Sequence, residues 1–309
     1  MKAMREVWGR TLTEVGQTDP RVVLLDGDLA NSTKADIFAE GLPDRFLQLG
    51  IAEQNLVGTA AGLSTMGYVP WLSSFTVFFT HRALDPIRML VAQTGANVKI
   101  AAAYSGLLTG LTGKTHQDVQ DLAIMRAMPG MVVLAPGDAA ECAAMVRWAT
   151  DHDGPVYLRL ARDPAPELGM VPADDYTDGA VHVVRPGRRV VLVSTGVQTV
   201  RVLEAADLLA ASGVDAGVVH VPCLKPLDDR RLLDAVGAAS LVVTVEEHTV
   251  LGGLGGLVAE VLGEHGTGAR VHRVGLRDVW GESAPNDFLL DRYGLSGPRV
   301  AEAVRAALA

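Results

Sequence analysis

Several short stretches of this chain carry side chains suited to bind an organic ligand or move protons on it. Glu53 stands in Gly50-Ile51-Ala52-Glu53-Gln54-Asn55, just ahead of the small-residue run TAAGLSTMG. Such a run packs closely as a helix, so the spacing predicts a carboxylate at a helix N-terminus. There the helix dipole and unpaired amides stabilise it whether or not it also does proton chemistry. The cluster FTVFF, Phe75 to Phe79, gathers aromatic rings able to flank a flat ligand. GKTHQD, Gly113 to Asp118, places His116, whose imidazole can take up or give a proton, in a loop rich in Gly and Thr that can bend close to a ligand. Arg162 ends the apolar run YLRLAR, where a guanidinium suits bidentate capture of a phosphate or carboxylate. Asp26-Gly27-Asp28 pairs two carboxylates at the end of another such run.

The elements that must hold these residues are α/β in character. Short apolar runs at 21–25, 46–49, 98–103, 131–135 and 156–160 read as buried parallel strands, separated by helix-period segments such as 53–66 and 139–150. Beyond Arg162 the stretch DPAPELGMVPADDYTDG has three prolines, many acidic residues and no period, and reads as a linker. Runs at 190–194, 216–221 and 241–245 then alternate with helix-like 197–211 and 227–239. The expectation is two α/β domains: a doubly wound sheet over 1–165, a linker over 166–180, and a smaller domain over 181–309. The glycines of GGLGG, Gly252 to Gly256, lack the register of a dinucleotide-binding turn and read as a helix entry.

Composition excludes some functions. The 309 residues carry 36 acidic against 27 basic side chains, so the summed field gives nucleic-acid or anionic membrane surfaces no general reason to bind. Cys142 and Cys223 are isolated, without metal-ligand spacing, and suit a reducing compartment. The charged N-terminus leaves no room for an apolar signal core, and no stretch of about 18 uncharged apolar residues follows. A cytoplasmic protein is expected.

Taken together and in order, IAEQN, FTVFF and GKTHQD resemble the pyrimidine-binding domain of transketolases. The likeness runs on through DLAIMRAMPGMVVLAPGDAAE and YLRLAR into that family's C-terminal domain, which holds VEEH at Val245 to His248, and covers nearly the whole chain. The resemblance implies thiamine diphosphate as cofactor and transfer of a two-carbon ketol unit from a ketose to an aldehyde. By position it implies that Glu53 hydrogen-bonds the cofactor's aminopyrimidine ring, shielded from water, and takes part in its activation. Phe75 and Phe78 would lie against that ring and Asp28 near the cofactor at a subunit contact. His116 would serve the reacting carbon, and Arg162 and Ser32 the substrate phosphate. His81 falls where many relatives have a third aromatic.

The loop YSGLLTGLTGKTHQ, Tyr104 to Gln117, departs from the HDSIGxGEDGPTHQ of sugar-phosphate transketolases. Tyr104 replaces a phosphate-holding histidine, Thr112 replaces an aspartate that contacts a sugar hydroxyl, and Lys114 adds a cation, so all three are expected to face an altered substrate. The family also holds Mg²⁺ and the diphosphate with a GDG motif and a later Asn on a separate domain. This chain lacks that pair, and its DGD has the wrong order and setting. The resemblance therefore implies a partner subunit carrying the GDG motif, in an α2β2 assembly with shared active sites. The β subunit of a 2-oxoacid dehydrogenase first component, a deoxyxylulose-phosphate-synthase-like enzyme and a non-catalytic relative stand as alternatives.

Overall fold

The computed structural model describes residues 2–169 and 176–309; residues 170–175 of the expected linker lie outside the described residues. The strands of the first half are β1 (Lys2–Ala3), β2 (Val22–Asp26), β3 (Phe46–Gln48), β4 (Val69–Phe75), β5 (Lys99–Ala103), β6 (Val132–Leu134), β7 (Val156–Leu160) and β8 (Pro164–Ala165). The second half adds β9 (His182–Arg185), β10 (Val190–Ser194), β11 (Ala216–His220), β12 (Cys223–Lys225), β13 (Leu241–Thr249) and β14 (Arg270–Leu276).

A seven-stranded sheet has the order β12-β6-β7-β5-β4-β2-β3, parallel throughout except for β12. A five-stranded sheet has the order β14-β13-β10-β11-β9, parallel except for β9. The inner strands β2, β5, β7, β10 and β11 are buried at every position, as expected where helices cover both faces of a parallel sheet. The Val- and Ala-rich runs supply that burial, and the helices Glu53–Thr65, Ala139–Asp151, Gln198–Ala210 and Asp229–Val236 follow the apolar periods. Asp138 starts the second of these by accepting the Glu141 amide on its side chain.

Two features depart from the sequence pattern, and both serve polar contacts. The inner strand β4, VPWLSSF, is fully buried although Pro70, Ser73 and Ser74 interrupt its apolar run. Ser73 meets the Thr33 hydroxyl at 2.7 Å and Ser74 donates to Glu53 at 3.4 Å. Strand β13 extends past LVVTV because Glu246, Glu247 and His248 are all buried with partners. Glu246 accepts the amides of Leu254 and Gly255 and so caps the helix Leu254–Glu264, making the glycine run a helix entry.

The two halves are joined at several places. Strand β12, from the second half of the chain, pairs antiparallel with β6 of the first, Cys223 facing Leu134. Lys225 Nζ donates to the carbonyls of Arg126 and Met128, and Arg126 forms a two-pronged ion pair with Glu260. Cys142 and Cys223 are free and buried; burial pushes the Cys223 thiol up to about 11. Among the described residues no helix is long and apolar enough to cross a membrane.

Candidate active site

The C-terminal ends of β2, β4, β5 and β7 lead directly into the singled-out residues, the place where open parallel sheets present ligand sites. Phe75 ends β4, and Tyr104 follows β5 with a left-handed φ of 61°, a conformation that for an aromatic residue costs about 1–3 kcal/mol. Their rings stack with centroids 4.1 Å apart. Phe78 stacks on Phe75 at 5.8 Å, and the His116 imidazole turns its edge to both, 5.9 Å from Phe75 and 5.7 Å from Phe78. Four residues from three chain segments thus form one aromatic cluster. Thr115 Oγ1 lies 2.9 Å from His116 Nδ1 and fixes that ring's orientation.

Glu53 opens its helix, where the small-residue run places it, and its side chain is fully buried. Besides Ser74, its partner is Arg82, whose Nη1 lies 2.7 Å from Oε2. The guanidinium carbon of Arg82 also sits 4.4 Å from the Phe78 ring centroid. Arg82 ends the π-helical turn Phe78–Arg82, in which the wider winding brings the fourth residue onward, not the third, to the face of Phe78. His81 is accordingly exposed and makes none of the ring contacts found among the described residues, while Arg82 reaches the Phe78 ring from the side.

A second cationic group lies on the far side of Tyr104. Arg162 places its guanidinium 5.5 Å from the Tyr104 ring centroid, and Arg5 places its own at 5.7 Å. Arg5 donates to the Tyr104 hydroxyl at 3.2 Å, the Arg162 carbonyl at 3.1 Å and the Ser32 carbonyl at 2.5 Å, tying three expected substrate residues together. Arg162 donates to Asp163 through Nη1, while its buried Nε has no partner among the described residues. An unpaired buried donor on one of two guanidinium groups that share the Tyr104 ring favours an anion there. Arg5 escaped the sequence reading because it lies early in the helix Met4–Thr18, far from every motif.

The loop from Tyr104 to Gln117 is held from the second half of the chain. Glu247 Oε1 accepts the amides of Leu107 at 2.6 Å and Leu108 at 2.9 Å; burial pushes its carboxyl above the usual range, against the pull of Arg159. Gln117 donates to the carbonyls of Leu107 and Glu282, and Ser283 donates to that of Leu111. Asp118 receives the Thr80 hydroxyl, linking this loop to the turn that carries Phe78; burial, then the neighbouring Asp121, raise its carboxyl. Thr112 turns its hydroxyl back to Thr109, and Lys114 is exposed, so neither joins the aromatic or arginine cluster. Asp28 is also exposed, with a left-handed φ of 67° and its amide on Gln48.

Asp26 Oδ2 accepts Leu29 N and Gln48 Nε2, and burial raises its carboxyl. Among the described residues no group of His, Cys, Asp and Glu is placed to hold a metal ion. A flat nitrogen heterocycle does fit beside Glu53, since a planar nitrogen group, the Arg82 guanidinium, already bonds the carboxylate and lies on Phe78.

The chain matches the transketolase pyrimidine-binding domain over residues 1–166 and the transketolase C-terminal domain over residues 179–300. It is 39% identical to a putative transketolase C-terminal section of Methanocaldococcus jannaschii, covering 98% of this chain and 95% of that protein. It is 38% identical to the 6-deoxy-6-sulfo-D-fructose transketolase subunit SqwH of Clostridium sp. strain MSTE9, over 97% of this chain and 92% of that one. A solved structure described as a split gene transketolase, inactive beta4 tetramer, is 45% identical and superposes with a TM-score of 0.91 over 100% of this chain and 99% of its own.

Proposed function

The chain belongs to the transketolase family, and from that premise we propose that it is the subunit of a two-chain enzyme that presents Glu53 to thiamine diphosphate while a partner holds the diphosphate. Residues 1–165 form the pyrimidine-binding domain, 166–180 the linker and 181–309 the C-terminal domain. The observation that carries this reading is a fully buried carboxylate beside an aromatic cluster. Mg²⁺, which favours oxygen ligands and the phosphates themselves, then takes its protein ligands from a partner bearing the GDG motif, in an α2β2 assembly. The enzyme works in the cytoplasm, in keeping with two free, buried cysteines.

Thiamine diphosphate supplies the carbanion and electron sink that ketol transfer requires. Glu53 would share a proton with the pyrimidine ring nitrogen, and its burial removes competing water. Phe75 and Phe78 hold the ring by stacking. His116, fixed by Thr115 against both phenylalanines, moves a proton at a substrate hydroxyl oxygen. Arg162 and Arg5, with Ser32 at the same point, bind the anionic end of the ketose and orient it. Tyr104 narrows that end where a histidine is usual in the family. Exposed Lys114 is assigned to the acceptor and exposed Asp28 to the partner chain, with Thr112 beside Lys114 on the same loop. The name of the Clostridium relative brings a sulfonate beside a phosphate as the anion to test.

The test is calorimetric titration of thiamine diphosphate with Mg²⁺ into this chain alone and into the chain assembled with its partner. Binding only in the assembly is the expected outcome. Tight binding to the isolated chain would overturn the shared site.

A further inference from the structure

The Arg82 side chain makes two contacts that a bound aminopyrimidine also has to make. Its Nη1 donates to Glu53 Oε2 at 2.7 Å, and its planar head lies 4.4 Å from the centroid of Phe78. A guanidinium is flat, cationic and edged with N–H donors, so in shape and hydrogen bonding it resembles a protonated aminopyrimidine. We infer that Arg82 is a stand-in for the cofactor's ring, filling its seat until the cofactor displaces it. This rests on the assignment of Glu53 and Phe78 to the cofactor.

The two members of the ion pair differ in their freedom. The Glu53 side chain is 0% exposed and cannot leave, whereas that of Arg82 is 43% exposed and reaches the carboxylate from solvent. Gln54 donates to the Arg82 backbone carbonyl at 3.1 Å, so the main chain is held and the side chain is the part free to swing. Phe75 stacks on Phe78 at 5.8 Å and His116 turns an edge to it at 5.7 Å. Arg82 is therefore the movable member of the packing round Phe78. A buried carboxylate left without a partner is costly, and this gives the pocket a reason to keep a cation of its own. The same contact imposes competition, because affinity for the cofactor is reduced by the fraction of molecules whose seat is filled.

The test compares wild type, Arg82→Gln and Arg82→Ala, each assembled with the partner subunit, in equilibrium titration with thiamine diphosphate and Mg²⁺. If Arg82 fills the seat in about nine molecules of ten, both variants bind about tenfold more tightly. In the chain without partner, both should also melt at lower temperature, and that shift should vanish in a Glu53→Gln background. Unchanged or weaker cofactor binding by both variants, with wild type binding normally, overturns the stand-in and leaves the cofactor site intact. Absence of binding by the wild-type assembly overturns the site assignment and the stand-in together. Comparing two variants separates a folding defect in one from the effect of losing the guanidinium.

Discussion

Gly106 and Glu247 are fitted to each other across the two halves of the chain: a Cβ added at Gly106 would lie 2.3 Å from Glu247 Oε1. Gly106 also has a φ of 74°, which side-chain-bearing residues rarely adopt. The glycine lets a carboxylate of the C-terminal domain approach closely enough to hold the Leu107 and Leu108 amides. The second domain therefore sets the shape of the loop that carries Tyr104 and His116.

Gly106→Ala should lower stability by about 2 kcal/mol through strain and collision, measured by denaturant unfolding. Glu247→Ala should loosen the loop, raising KM for substrate about tenfold with cofactor affinity unchanged. In a Glu247→Ala background part of the cost of Gly106→Ala should disappear, because the colliding carboxylate is gone. Strict additivity of the two changes would mean that the pair does not act as a unit.

Glu53→Gln keeps shape and burial but removes the carboxylate. Turnover of the assembled enzyme should fall by about 10²- to 10⁴-fold, the range of a lost proton-transfer group, with the folded spectrum unchanged. Activity equal to wild type would remove Glu53 from the chemistry.

Arg5→Ala and Arg162→Ala should each raise KM for an anionic ketose by about 10- to 100-fold and affect kcat less, as expected for loss of a charged hydrogen bond. The two effects should be coupled, since Arg5 holds the Arg162 carbonyl. A KM untouched in both variants would place the anion elsewhere.

Lys99 gives a pH signature. Its ammonium is buried in β5 against the carbonyls of His152 and Gly154, each at 2.6 Å, and burial pushes its pKa down to about 7, against a smaller upward pull from Asp153. The unfolded chain keeps this proton to higher pH, so folded stability rises as pH climbs above the folded pKa and is lost again as pH falls through it. Melting temperature should therefore increase between pH 7 and about 8.5, and Lys99→Met should flatten the increase. An unaltered slope in Lys99→Met would assign the trend to other groups.

The parallel strands and their covering helices were legible because burial on both faces writes itself as unbroken apolar runs, as in Val190–Ser194 and Val156–Leu160. Strand β4 was not, since Ser73 and Ser74 are placed for contacts with Thr33 and Glu53 that no local pattern encodes. The aromatic cluster and Arg162 could be picked out from motifs. Arg5 and Arg82 could not, because each owes its place to chain segments distant in sequence: Arg5 meets Arg162, and Arg82 meets Glu53. His81 shows the local version of the same limit, for a π turn changes which neighbour faces Phe78 without altering composition.

Strand β12 crosses from the second half of the chain to complete the edge of the first sheet beside β6. The two domains are consequently poor candidates for exchange as interchangeable modules. A chimera that takes its C-terminal domain from a relative brings a foreign Cys223–Lys225 segment to a sheet edge shaped by Val133 and Leu134. Matching that seam, as well as the linker, decides whether such a hybrid assembles.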